Sequence, residues 1–391
     1  MPRSLQLVNI EGAKPGKVYY PYATSPPPPP HPPIPSSAHR HLITCRLCSI
    51  QVKQVPKPTP GPHDVLVRMT AAALNHRDLF IRQHLYPNID PAKPLLADGC
   101  GVVVEVGSGV AHPARLLNQA VILTPSRGWD RDPQGPEDPS RFVICGSQQG
   151  TDAGCAADYV VAPAAEVELM PPHLSPVEAA ALPLVGLTGW RALVTKAGID
   201  GPGKNVLITG IGGGVALQVL QFVVAMGSNA YVTSGDQAKI DKAVAMGAKG
   251  GVVYKEPRWG STLKKTLLPK GRPFLDAVID GAGGSVVNET ASVLRHGGII
   301  AQYGMTVGPK MEWLMKAVLA NIDLRGSTMG SRQEFTDMVE FVNKHKIKPV
   351  VSQSIRGLGN LDQINGLFDV MAAGSQFGKL VIEIDDESAK L

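Results

Sequence analysis

Apolar runs and helix-like segments alternate through the second half of this chain. Between about 203 and 330, strands are expected at Asn205–Thr209, Asn229–Thr233, Gly251–Tyr254, Leu275–Asp280, Gly298–Gly304 and Asp323–Met329, with helical patterning between most of them. The clearest helix is Asp236–Met246, with Ile240, Ala243, Val244 and Ala245 on its apolar side and Gly247 as its stop. Strands that alternate with helices predict a parallel, doubly wound α/β sheet. Residues 50–165 read differently. Short β-rich runs such as Val65–Met69, Gly101–Val106 and Ala120–Leu123 are broken by Pro and Gly, which predicts an antiparallel, barrel-like domain. The C-terminal part is mixed: a helix near Arg332–His345, an extended run Pro349–Ile355, a helix near Leu361–Ala373 and a final strand Lys379–Ile384.

One segment fits neither pattern. Residues 23–50 carry five prolines in a row from Pro26 and then His31-Pro-Pro-Ile-Pro35. Such a tract favours extended polyproline backbone and cannot pack inside a hairpin. With it removed, Gly16–Tyr20 and Gln51–Val55 read as adjacent strands of one hairpin. The tract is therefore read as an insertion, either a translated intron or a ligand for a proline-reading domain.

The bulk numbers narrow the classes. At 391 residues the chain is long enough for two domains with full cores. A net charge of +5, with no basic run interleaved with aromatics, gives no sign of nucleic acid. No apolar stretch reaches the roughly 18 residues of a membrane span, and the N-terminus lacks a signal-peptide core. Five cysteines, an odd number, read as reduced thiols of a cytoplasmic protein.

The most informative stretch is Val206–Ala216, an apolar run, a glycine-rich turn and the start of the helix-like run Val215–Met226. Glycines at 210 and 212, followed by Gly213 and Gly214, let backbone N–H groups approach a pyrophosphate at a helix N-terminus. The third fingerprint position holds Val215, expected to loosen the close packing of helix on strand.

Several further motifs point one way. They are Ala72-Ala-Leu-Asn-His-Arg-Asp78, Gly99–Gly107, Ala179–Ala192, Ala245–Ala248 and Gly297–Gly304. Together they resemble the medium-chain dehydrogenase/reductase superfamily over about residues 50–385. The resemblance implies a β-rich GroES-like catalytic domain plus a Rossmann doubly wound parallel sheet. The boundaries implied are 1–184 for the catalytic domain with the proline-rich insertion, 185–330 for the Rossmann domain, and 331–391 for the return to the catalytic domain.

Alcohol dehydrogenases of that superfamily hold a catalytic zinc on Cys, His/Glu and a later Cys. Zinc needs about three such ligands. By the resemblance these positions are Asn75, Ala97-Asp98 and about Leu184 here, so no metal is expected. Asp98 is read as a relic carboxylate hydrogen-bonded locally. Cys45-Arg-Leu-Cys48 has no second pair at metal spacing and is read as incidental. The run Asn75–Pro87 is close to the pattern of the zinc-independent quinone oxidoreductase branch, with His84 where that branch usually has Gly. The resemblance implies that Asn75 and Asp78 line the nicotinamide end of a cleft, with Tyr86 near the substrate.

An NAD site places Asp or Glu at the end of the second strand, for the ribose 2′-OH. Here that position is Ser234, which tolerates a 2′-phosphate, and Lys239 is one helical turn further on. Asp236 is read as the cap of the next helix. NADP(H) is the cofactor expected. The family pattern adds Thr188 under the phosphates, Tyr303 and Gly304 at the crevice, and Arg332 and Lys379 on loops that close over the nucleotide; Lys379 reads equally well as a strand-edge lysine.

Hydride from NADPH would then attack an enone or quinone, with preorganised donors meeting the developing oxyanion. Tyr86 is the first candidate proton donor, with Asn75 and His76 as polarising groups; a structural role for Tyr86 stays open. The substrate class is a small carbonyl or quinone. A trans-acting enoyl reductase and a non-enzymatic nucleotide-binding protein remain alternatives. A homodimer is implied by the resemblance alone.

Overall fold

Strands Asn205–Ile208 and Leu275–Asp280 are buried at every residue, as central strands covered on both faces must be. In the computed structural model, which describes residues 1–8, 49–308 and 310–384, they lie at the middle of a six-stranded parallel sheet. Around them lie Asn229–Ser234, Gly250–Val253, Leu294–Gln302 and Asp323–Gly326. Numbered along the chain, the spatial order is third, second, first, fourth, fifth, sixth, and every pairing is parallel. Strand order therefore reverses between the first and fourth strands. Ligands of such sheets lie in the crevice beyond the strand ends at that point. The helices Gly214–Ala225 and Gln237–Ala245 fall where the apolar pattern put them.

The other sheet has seven strands. Asp64–Leu74, Asp98–Val106, Ala120–Leu123, Tyr159–Pro163 and Val167–Leu169 pair antiparallel. Two strands from the far end of the chain join them. Lys379–Glu383 pairs antiparallel with Asp64–Leu74, setting Leu380 opposite Leu74, and parallel with Val351–Arg356. That register brings the C-terminal strand beside the start of helix His76–Arg82.

Ile50–Gln54 pairs antiparallel with Arg3–Leu7. Gly16–Tyr20, the strand expected beside it, lies outside the described residues together with the proline tract and Cys45–Cys48. The mouth of this hairpin is closed by the Val8 amide donating to the Ser49 carbonyl at 2.8 Å.

Helix Pro183–Trp190 joins the two sheets and packs against Gly214–Ala225 and Arg332–His345. The close approach of helix Pro183–Trp190 to Gly214–Ala225 is made at Gly189, where a Cβ would stand 2.9 Å from Val219 Cγ2. Trp190, Phe222 and Phe341 lock the three helices with ring centroids 5.1–5.9 Å apart. Beside them Arg191, 1% exposed, donates from Nη1 to both oxygens of Glu334 at 2.9 and 3.0 Å, and from Nη2 to the Pro133 carbonyl at 2.9 Å. Glu334 also caps its own helix by accepting the Ser331 N–H at 2.6 Å. Removing one partner of such a buried pair strands the other charge, at about 3–5 kcal/mol. Glu334→Ala is expected to lower the thermal midpoint by several degrees while Glu340→Ala, at an exposed position of the same helix, moves it far less. Equal shifts in differential scanning fluorimetry would contradict the assignment.

Candidate active site

A left-handed backbone at Gly210 (φ 67°) and Gly212 (φ 117°) turns the chain from the first parallel strand into helix Gly214–Ala225. Gly210 N–H donates to Thr233 Oγ1 at 3.2 Å and Ile211 N–H to the Thr233 carbonyl at 2.8 Å, which pins the turn to the second strand. The first helical amides then face the crevice, as an anion at a helix N-terminus requires. Across the reversal point, Thr209 Oγ1 bonds the buried Asp280 carboxylate, which also accepts the amides of Ala282 and Gly283. The Tyr303 ring lies against Gly281, and burial pushes its phenol upward.

From this turn a cleft of about 390 Å³ runs to the first sheet. It is lined by Gly210, Gly213, Gly214 and Val215, by Thr188, Tyr303 and Gly304, and by Asn75, His76, Tyr86 and Lys379. Residues far apart in sequence thus line one cleft, and its volume is within the range of ligand sites.

At the catalytic-domain end, Asn75 precedes helix His76–Arg82, and its N–H donates to Asp78 Oδ2 at 2.7 Å. Full burial pushes the Asp78 carboxyl up to about 6, against the opposing pull of Arg77, the Asn75 amide and Lys379. Asp78 does not line the cleft; it orients Asn75 from behind. Desolvation lowers the His76 imidazole, whose ring meets Phe80 edge-on at 4.6 Å. Tyr86 is half-buried, with the Arg77 guanidinium 4.8 Å from its ring centroid. His84 sits at φ 57°, the left-handed region, which explains why glycine suits that position.

Lys379 is not a strand-edge lysine. It is 4% exposed, its stem passes over Gly214, and Nζ donates to Asn75 Oδ1 at 2.6 Å and to Asp98 Oδ2 at 2.8 Å. Asp98, 0% exposed, also accepts Asn75 Nδ2 at 2.9 Å and the Leu184 N–H at 2.8 Å. The expectation that Asp98 bonds only locally is corrected: its partners lie 23, 86 and 281 residues away. The donor set at Asn75, Asp98 and Leu184 does not fit zinc. It offers one carboxylate, one amide and an alkyl group, with an ammonium already bonded to the first two. Among the described residues, no three His, Cys, Asp or Glu side chains gather as a metal site.

A dinucleotide, by contrast, fits the residues present. Thr188 Oγ1 and Gln376 Oε1 are buried at the cleft without a hydrogen-bond partner, and the glycine turn leaves room for phosphates. At the outer end of the turn, Ser234 Oγ accepts the Asp236 N–H at 3.2 Å, and Asp236 caps its helix through Ala238 N–H at 2.9 Å. The Lys239 stem passes 3.0 Å from where a Gly212 Cβ would stand, and Nζ donates to the Gly374 carbonyl at 2.7 Å. Two residues here escaped sequence reasoning. The Tyr254 hydroxyl and Lys255 Cε lie 2.8 and 3.0 Å from the place of a Gly235 Cβ. Their signal was position: they directly follow the third parallel strand. Arg332 does not join the group; its guanidinium is committed to Glu168 Oε1 at 2.7 Å and to the Val167 and Ala165 carbonyls.

Two families match this frame, the alcohol dehydrogenase GroES-like domain over residues 61–172 and zinc-binding dehydrogenase over 214–344. The zinc-type alcohol dehydrogenase-like protein YogA of Leptosphaeria maculans is 56% identical, over 86% of this chain and 94% of that protein. The chloroplast envelope quinone oxidoreductase homolog of Arabidopsis thaliana is 29% identical, over 84% of this chain and 92% of its own length. A solved NAD-dependent alcohol dehydrogenase superposes with a TM-score of 0.75 at 31% identity, over 86% of this chain and 96% of its own. By descent and by architecture the chain is an oxidoreductase of the medium-chain dehydrogenase/reductase superfamily, in its zinc-type alcohol dehydrogenase-like branch.

Proposed function

We propose that this chain is an NADPH-dependent reductase of quinones, enones or related α,β-unsaturated carbonyls that works without catalytic zinc. The observation that carries the reading is the Asn75–Asp98–Lys379 cluster, a closed set of charge-assisted hydrogen bonds at the ligand positions of the zinc enzymes. A dication there would face an ammonium instead of two thiolates. The bound dinucleotide supplies hydride; the chain's residues bind, orient and exclude water. Thr188 and the glycine turn would hold its phosphates, and Tyr303 and Gly304 would flank the nicotinamide end. Tyr86, on the far wall, is the candidate proton donor, with Asn75 and His76 polarising the carbonyl.

NADPH is favoured over NADH by the outer end of the turn. Ser234 brings no carboxylate against a 2′-phosphate, Asp236 is occupied as a helix cap, and Lys239, Tyr254 and Lys255 converge there. The exposed edge strand Asp323–Gly326, beside exposed Met315, Val318 and Leu319, supports a homodimer formed along that edge. Among the described residues no helix is long and apolar enough to cross a membrane, and Cys100, Cys145 and Cys155 are free, which supports a cytoplasmic setting.

Three outcomes are expected. Lys239→Ala should raise KM for NADPH about tenfold or more, the worth of a charge-assisted phosphate contact, and leave KM for NADH near its starting value; equal changes for both nucleotides would undo the NADPH assignment. Protein purified without chelators should contain no stoichiometric zinc, and prolonged chelation should leave turnover unchanged; metal lost together with activity would end the zinc-free reading. Tyr86→Phe should lower turnover about 10²-fold or more with NADPH binding intact, as loss of general acid catalysis does; full turnover would leave Tyr86 as a wall of the cleft.

A further inference from the structure

We propose that the Lys379 ammonium is the fixed positive charge that draws in the substrate's oxygen and holds the negative charge formed there during hydride transfer. The inference rests on the reductase reading above and deepens it by naming the electrophile.

Three features of the cleft carry it. First, an ammonium has three N–H bonds, and the two protein acceptors on Nζ are Asn75 Oδ1 and Asp98 Oδ2. The third N–H is available to a ligand. Second, Asn75 is oriented the same way: its Oδ1 faces Nζ, one Nδ2–H goes to Asp98, and the other remains. Both residues line the cleft, and Asp98 stands behind them as their shared counter-ion. Third, the stem of Lys379 lies on Gly214, so the charge and the phosphate-binding turn are held in one frame. Preorganised donors in a water-poor site need little rearrangement when charge develops, the condition under which they contribute most.

The step balances as follows. The β-carbon of an enone takes the hydride, so one C–H bond breaks at the dihydronicotinamide and one forms on the substrate. The nicotinamide is oxidised and the enone reduced by two electrons. The π pair moves onto the carbonyl oxygen, giving an enolate paired with Nζ and Asn75 Nδ2. The α-carbon then takes a proton from Tyr86 or water. Lys379 keeps its own protons throughout.

The test uses the full chain, as wild type, Lys379→Met and Lys379→Arg. NADPH affinity is read by fluorescence titration, kcat and KM with an enone, and the ionisation of 4-nitrophenol bound to the NADP⁺ complex by its phenolate absorbance, at a pH low enough that the free phenol is protonated and shows no such band. The expected result is a fall in kcat of about 10²–10³-fold in Lys379→Met, the range for loss of one oxyanion donor. NADPH affinity should stay within threefold and the phenolate band should disappear. Lys379→Arg should recover the band and at least a tenth of the lost turnover. Turnover in Lys379→Met within threefold of wild type, no phenolate band in the wild-type complex, or a loss of NADPH affinity matching the loss of kcat/KM would overturn the proposal. The last would make Lys379 a phosphate ligand. A wild-type chain that binds no dinucleotide would defeat the reductase reading and this inference with it.

Discussion

A lysine ammonium almost wholly removed from water has to be answered by protein groups, and the answer here comes from three distant stretches of chain. Asp98 supplies the charge, Asn75 the second acceptor, and the Leu184 amide holds the carboxylate's other oxygen. Desolvating one charge alone costs several kcal/mol, so the pair persists only with its hydrogen bonds complete. The demand fixes much of the geometry around it. The C-terminal strand must lie in register beside Asp64–Leu74, and helix His76–Arg82 must start where Asp78 can hold the Asn75 amide. Helix Pro183–Trp190 must enter so that Leu184 points its N–H at Asp98. The catalytic end of the cleft is the shape left by these requirements.

The same cluster separates family from chemistry. Relatives bear zinc in their names, and the backbone frame is shared with them. Yet the donor set at the corresponding positions pairs a carboxylate with an ammonium. A fold of this kind offers a place where charge is useful, and the side chains decide whether a metal or a residue carries it.

Much of this was legible in the sequence, for physical reasons that can be named. The parallel sheet was readable because buried central strands leave long apolar runs, and helix Arg332–His345 lies where the sequence placed it. The glycine turn was readable because backbone approach to phosphate demands residues without side chains. The partnership of Lys379 with Asp98 was not readable, since its residues are 281 apart and only strand register joins them. Tyr254 was missed for a related reason: it follows a strand end as any loop residue does, and its meaning comes from the neighbouring strand's Gly235. Arg332 was misassigned because the loop motif around it gives position along the chain but not direction of the side chain.

Strand Arg3–Leu7 has one more consequence. Besides its ladder with Ile50–Gln54, its Leu5 N–H donates to the Ala156 carbonyl at 2.8 Å, its Leu5 carbonyl accepts the Leu95 N–H at 2.9 Å, and Arg3 pairs with Asp158. Leu5 itself is fully buried. A substitution at Leu5 is therefore felt at once by three separate stretches of the catalytic domain, and this short strand works as a keystone where a loose tail would tolerate any residue.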